Sequence, residues 1–273
     1  GVTGCRIIDS PRERLIAIIT NNFVPCNGRF PTMLSIITLF LIGGAGGLTG
    51  SLLGACILVA LIVLGVLMPF LVSRLLSATI LKGVPSSFTL EMPPYRRPQI
   101  LKVIVRSIVD RTLKVLGRAV ISAAPAGLLI WVLANVPLSG QTTLLTALTG
   151  FLDPFARRLG MDGCILTGFL LGLPANEIVV PIIIMTYMAR GSLLEVEGVQ
   201  LMQLFTANGW TWITAVSTLL FSLMHWPCAT TLLTIRKESG SLKWTLLSFL
   251  VPTVCGIILC FLFTTTARFL FSA

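Results

Sequence analysis

No residue between Arg29 and Arg74 carries a charge, and within that interval LLGACILVALIVLGVLMPFLV runs from Leu52 almost without a polar atom. Uncharged apolar stretches of about 18 residues or more read as membrane-crossing helices, because lipid leaves every backbone polar group to be satisfied inside the segment. Similar runs recur along the chain, bunched rather than spaced at amphipathic intervals. Only 11% of the 273 residues are charged and 55% are hydrophobic, where a soluble domain carries about 25% charged residues. The fold class that follows is all-α, a polytopic transmembrane helix bundle.

The net charge of +10 fits this class without nucleic acid, since cytoplasmic loops of membrane proteins are rich in Lys and Arg. Seven cysteines with no CxxC pair do not form a disulfide framework. Cys5, Cys56, Cys164, Cys255 and Cys260 read as small packing residues. The chain begins at Gly1 with no signal segment and reads as the later part of a longer protein.

About six spans are expected. DSPRER, from Asp9, signals a helix start, with Asp9 or Ser10 as cap and Pro11 in the first turn. Spans at about 33–50 and 52–73 are joined by GGAGGLTGS. LEMPPYRRP, from Leu90, cannot be helical throughout. In the segment after it Lys102, Arg106, Asp110, Lys114 and Arg118 recur every fourth residue. That spacing predicts a basic amphipathic helix near 98–117 lying in the cytoplasmic interface. A third span follows at 119–138 and an amphipathic piece at 143–158. The apolar region near 164–189 is interrupted by PANEIVVP and predicts a broken or re-entrant helix; a polar link with Glu195 and Glu197 follows. Spans at 210–235 and 244–270 flank RKESGSLK. Simple alternation would put this basic link outside, and a re-entrant 164–189 removes the conflict.

Three places could carry chemistry. In LPANEIVVP, Pro174 is placed to start a helix with Asn176 and Glu177 in its first turn. An ionisable residue at membrane depth points to a pathway or a partner, and broken helices are how many transporters build a site; the plainer alternative is that Glu177 caps the helix or pairs with an arginine. In HWPC, Pro227 frees the carbonyl of Leu223. On helical spacing, His225 and Cys228 share a face, as do Met224 and Cys228. Imidazole, thiolate and thioether suit a borderline transition-metal ion, though on its own HWPC reads better as a proline kink with a packed cysteine. A second Pro-Cys, at Cys26 in FVPCNGRFP, makes the three places a set. HExxH, GxSxG, GxxxxGK[ST] and GxGxxG are not found in the sequence, which argues against a nucleotide hydrolase or a zinc protease.

Taken together, DSPRERL, VPCNGRFP, LEMPPYRRP, PANEIVVP and HWPCATTLLTIRKESGSLKW resemble the membrane part of the ferrous iron transport protein B family. The resemblance implies Fe(II) uptake across the inner membrane of a bacterium or archaeon, with no enzymatic activity in this region. It implies GTP and Mg²⁺ only through an N-terminal GTP-binding domain, with that domain, small accessory proteins and further copies of the chain as partners. It divides the chain into the end of a first gate-like motif at 1–50, a central segment at 51–117 and a second, nucleoside-recognition gate motif at 118–273. Cys26 and Cys228 match the family's Pro-Cys cysteines, and Asn176 and Glu177 fall in the second gate motif. The transient Fe²⁺ path implied is Cys26, Cys228, Asn176 and Glu177, with His225 and Met224 as auxiliaries. Alternatives are Mn²⁺ or a nucleoside as solute, or a non-transporting membrane partner.

Overall fold

The computed structural model describes residues 1–42, 47–83, 99–139, 142–188 and 198–271. The expectations for LEMPPYRRP and for the link with Glu195 and Glu197 lie outside these residues. The described chain is mainly helix, with one short antiparallel ribbon, β1 (Pro137–Ser139) against β2 (Thr142–Thr143).

Helix α1 (Pro11–Thr20) starts where the sequence signals it, and Ser10 settles the choice of cap: its Oγ accepts from the Glu13 backbone N–H. After a break at 21–29, α2 (Phe30–Ile36) continues as a π turn, Ile37–Leu41. The long α3 (Leu48–Ala78) runs antiparallel to this whole path. Arg12 donates to Leu81 O near one end, a Cβ on Gly65 would meet Phe23 and Pro25 at the middle, and one on Gly54 would meet Ile37 and Ile42 at the other end. The expected span at 33–50 is therefore the second half of a broken helical path that begins at Pro11. Gly50 and Ser51 belong to α3, not to a link.

The predicted amphipathic helix does not stop at 117. It runs from α4 (Ile100–Arg106) through a π turn (Ser107–Leu113) into α5 (Lys114–Asn135). Nothing in 107–118 breaks a helix, so the change from amphipathic to apolar sequence is not a change of element. Helix α6 (Leu144–Arg158) matches the amphipathic piece expected at 143–158.

The apolar region 164–189 is two antiparallel helices, α7 (Gly163–Leu171) and α8 (Val179–Met188), with a non-α turn between them. A Cβ at Gly168 would lie 2.5 Å from Ile183 Cγ1, and one at Gly172 would lie 2.6 Å from Val179 Cγ2. At the open end the Tyr187 hydroxyl donates to Asp162 and accepts from Trp210 Nε1 at 2.7 Å. Burial pushes the Asp162 carboxyl above its usual range, and the Tyr187 hydrogen bond opposes the shift. Phe205 stacks on Trp210 with ring centroids 4.3 Å apart, and Phe40 stacks on the same indole at 5.3 Å. That cluster ties α9 (Gly198–Ala207) and the π turn after α2 to the open end of the hairpin.

Helices α10 (Trp212–Met224) and α11 (Ala229–Ser239) form a second broken path, and α12 (Leu242–Phe271) runs antiparallel to both. Ser217 faces Thr264 at 3.2 Å, a Cβ on Gly256 would sit 3.1 Å from Met224 Cβ, and Gly240 makes the return in a left-handed conformation. The two broken paths point in opposite directions. Arg6, before α1, pairs with Glu238 at the end of α11, while Phe40, beyond α2, meets Trp210 before α10. RKESGSLK consequently shares one end of the molecule with Arg6, Arg12 and Arg74.

Among the described residues, three helices are long and apolar enough to cross a membrane: α3, the path Trp212–Ser239 taken across its break, and α12. The main core lies where the breaks meet, with Phe23, Met33, Phe169, Phe221 and Leu223 fully or almost fully buried.

Candidate metal path

Each break has a local cause. Pro25 and Pro227 bar the preceding residue from helical geometry and bring no N–H. The two cysteines that follow have extended backbones, Cys26 with ψ 165° and Cys228 with ψ 158°, and each is the N-cap of the helical turn that restarts the chain. Pro174 precedes a third such restart, at Ala175 (ψ 118°). Asn176–Ile178 then forms a 3₁₀ turn before α8, so Asn176 and Glu177 lie one short turn ahead of the helix predicted to hold them.

The three breaks touch. Ala229 N–H donates to Leu173 O at 2.8 Å, joining the HWPC break to the hairpin tip. A Cβ at Gly28 would lie 3.3 Å from Glu177 Cγ and 3.6 Å from Asn176 Cβ, so the VPCNGR break approaches the same tip closely only because residue 28 has no side chain. Helix α3 lies behind them at Gly65, where a Cβ would come within 3.1 Å of Phe23 O and 3.0 Å of Leu223 Cδ1.

At this junction Asn176 is the hub. Its Nδ2 faces Cys26 Sγ at 3.8 Å and its Oδ1 faces His225 Nε2 at 3.4 Å. His225 Nδ1 lies 2.8 Å from Ser222 O and 3.2 Å from Phe221 O. Carbonyls only accept, so Nδ1 carries the proton and the neutral ring turns a bare lone pair at Nε2 toward the amide. With the amide oxygen turned to the ring, two acceptors face each other with no proton between them; the opposite amide orientation would let Nδ2 donate to Nε2 instead. Two ligand atoms each about 2.1 Å from a tetrahedral divalent ion stand about 3.4 Å apart, which is the separation found here.

Exposure is graded along this line. Cys26 is exposed, Asn176 is 6% exposed and His225 is 1% exposed. Glu177 is exposed at the rim. Cys228 is half-buried, with Sγ 3.1 Å from Thr230 Oγ1 and 3.2 Å from Thr231 Oγ1. The structure brings Cys26, Asn176 and His225 into one line and puts Glu177 beside it; Cys228 caps α11 and contacts Thr230 and Thr231. Met224 is buried with its Cβ toward Gly256 of α12.

His225 and Cys228, and Met224 and Cys228, do not share a helix face, because residues 225–228 are not helical: His225 has ψ 173° and α11 begins only at Ala229. The proline interrupts the helix outright and the i, i+3 rule does not apply across it.

The carbonyl freed by Pro227 is real, and its partner went unrecognised in the sequence. Arg29, 2% exposed, donates from Nη1 to Leu223 O at 2.7 Å and from Nη2 to His225 O at 2.9 Å. The signal was present, as an arginine three residues past Cys26 at the edge of a long uncharged run. Among the described residues no three His, Cys, Asp or Glu side chains cluster as a closed metal centre. An open, sparse set of ligands suits an ion in transit more than one held in place.

Residues 58–111 match the family profile "Ferrous iron transport protein B C terminus", and residues 116–242 match that of the Gate family, "Nucleoside recognition". Over residues 58–111 the chain is similar to the C-terminal segment of ferrous iron transport protein B. Proteins named Fe(2+) transporter FeoB align along nearly all of it. That of Staphylococcus aureus is 28% identical over 96% of this chain and 38% of its own length. That of Methanocaldococcus jannaschii is 25% identical over 99% of this chain and 40% of its own. That of Campylobacter jejuni is 25% identical over 94% and 42%. The chain thus spans about 40% of the length of these curated FeoB relatives. No solved structure matches it. The breaks at PANE and HWPC lie inside the nucleoside-recognition match, whereas VPCNGR lies outside both matched ranges.

Proposed function

We propose that this chain is the permease region of a ferrous iron transporter, and that Fe(II) crosses it through the junction of the three breaks. The observation that carries this reading is the pair of facing lone pairs on Asn176 Oδ1 and His225 Nε2, 3.4 Å apart, with the thiol of Cys26 on the outer side of the same amide. Fe(II), partly stripped of water, meets Cys26 and Glu177 at the mouth and passes to Asn176 and His225. Cys228 serves on the far side of the break, with Met224 as a weak auxiliary. Imidazole and thiolate favour such an ion over Mg²⁺ or Ca²⁺.

The surrounding architecture fits a carrier of this kind. On this reading α7 and α8 are a re-entrant hairpin whose tip meets two oppositely directed, discontinuous paths, α1–α2 and α10–α11; transporters build mid-membrane sites from such broken helices, which supports the proposal. The basic end holding Arg6, Arg12, Arg74, Arg236 and Lys237 faces the cytoplasm. On this reading the chain is a multi-pass protein of a bacterial or archaeal inner membrane. The driving step comes from a GTP-binding domain of the same transporter, with GTP and Mg²⁺ bound there; small accessory proteins and further copies of the chain complete the assembly.

The nucleoside-recognition match favours one rival, in which Asn176 and Glu177 hydrogen-bond a ribose. Competition uptake into cells separates the two. Labelled Fe(II) entry should be reduced in Cys26→Ser and more strongly in Cys26→Ser/Cys228→Ser, competed partly by Mn(II) and untouched by nucleosides. Unchanged iron entry in the double variant, or nucleoside competition, would contradict the proposal.

A further inference from the structure

Arg29 holds a full positive charge in the core, and among the described residues no carboxylate lies within ion-pair distance of it. Such a charge is tolerable only if hydrogen bonds replace its hydration. They come from both broken paths. Nη1 donates to Asn22 O at 3.2 Å and to Leu223 O at 2.7 Å; Nη2 donates to His225 O at 2.9 Å and to Trp226 O at 3.4 Å. Nε, equally buried, has no partner among the described residues. Two of the four carbonyls, those of His225 and Trp226, belong to the segment that Pro227 unwinds, and a third, that of Leu223, is the one it frees at the end of α10. A set of converging carbonyl oxygens at a helix break is what transporters and channels offer a partly dehydrated cation. Here the cation in that place is part of the protein.

We propose that the carbonyls of Leu223, His225 and Trp226 form a second station for the transported divalent cation, and that Arg29 is a tethered plug that fills it in the shut state. The proposal rests on reading the breaks as an ion path. His225 links the two stations physically, since its Nε2 faces Asn176 while its own carbonyl accepts from Arg29. A dication arriving at Asn176 and His225 puts like charge beside the guanidinium in a medium that screens poorly. Repulsion loosens the fork, the carbonyls turn to the ion, and Asn22 is released from Leu223 in the same movement. The plug therefore also ties the two broken paths together while the site is empty.

The test is made on the protein in phospholipid vesicles, with two readouts. The first is passive Fe(II) entry to an internal chelator. The second, without iron, is the rate at which the half-buried Cys228 reacts with a maleimide, resolved by mass spectrometry. Arg29→Gln removes charge and fork together; losing one charge-assisted hydrogen bond alone shifts a shut–open balance by about tenfold, so both rates should rise by at least about that factor. Arg29→Lys keeps the charge but not the planar fork and should fall between Arg29→Gln and wild type. A merely structural arginine would lower transport and would not create a leak. Gly163→Ala, which strains α6 against α7 away from the junction, serves as the control and should not leak. Unchanged labelling and entry in folded Arg29→Gln would overturn the plug. If labelling rises while Fe(II) entry does not, the ion path falls and the second station with it. If Arg29→Gln cannot be recovered folded, Arg29→Lys decides: labelling at the wild-type rate overturns the proposal.

Discussion

Asn176→Ala is expected to lower the initial rate of Fe(II) uptake by about tenfold or more, because it removes a side chain in contact with both Cys26 and His225. On the proposed path the ion loses an oxygen ligand. His225 Nε2, in a side chain 1% exposed, takes no proton from the amide oxygen, so its loss leaves no new unsatisfied acceptor and the variant should melt close to wild type. Uptake and thermal unfolding measured on the same preparation check both expectations. Glu177→Gln provides contrast: Glu177 is exposed at the rim, so uptake should fall mainly at low Fe(II) and recover at high Fe(II). Equal loss in both variants at every Fe(II) concentration would place the ligands elsewhere.

The largest effect on stability is expected at Gly163, the first residue of α7. A Cβ there would stand 2.1 Å from Thr149 O, 3.0 Å from Thr149 C and 3.1 Å from Asp153 Cα, all of them backbone atoms of α6. No side-chain rotation relieves that clash, so the helices must separate. The Gly163 N–H, which donates to Asp153 Oδ1 at 3.0 Å, moves with them. Overpacking of this kind costs about 3 kcal/mol. Gly150 lies on α6 with nothing within 4 Å of its would-be Cβ. Gly150→Ala should therefore be neutral, or stabilising by up to about 1 kcal/mol from helix propensity. Thermal unfolding in detergent should show a clear drop for Gly163→Ala and none for Gly150→Ala; similar melting of both would mean that α6 and α7 do not pack as described.

What the sequence disclosed was local. Apolar runs gave α3 and α12, the Ser10–Pro11 cap gave the start of α1, and three prolines gave three breaks. Those signals depend on nearest neighbours and on the solvent that a helix can tolerate, so one chain is enough to read them. The pairings were not local. Nothing near Cys26 announces Asn176, 150 positions away, and nothing near Arg29 announces the carbonyl of Leu223, 194 positions away. The break at Pro227 was visible, but a kink leaves helix spacing usable on both sides and an interruption does not. Sequence could not distinguish them, which is why His225 and Cys228 were expected on one face. The run-on of the amphipathic helix into α5 was missed for the opposite reason: a change in polarity looked like a boundary where no breaker stood.

On the proposed path sulfur, imidazole and amide from separate breaks meet Fe(II). X-ray absorption at the iron edge, on protein loaded anaerobically with Fe(II), reads those ligands out. The expected shell mixes sulfur with nitrogen and oxygen, its sulfur part weakened in Cys26→Ser and its imidazole scattering lost in His225→Ala. An oxygen-only shell that neither substitution alters would contradict it.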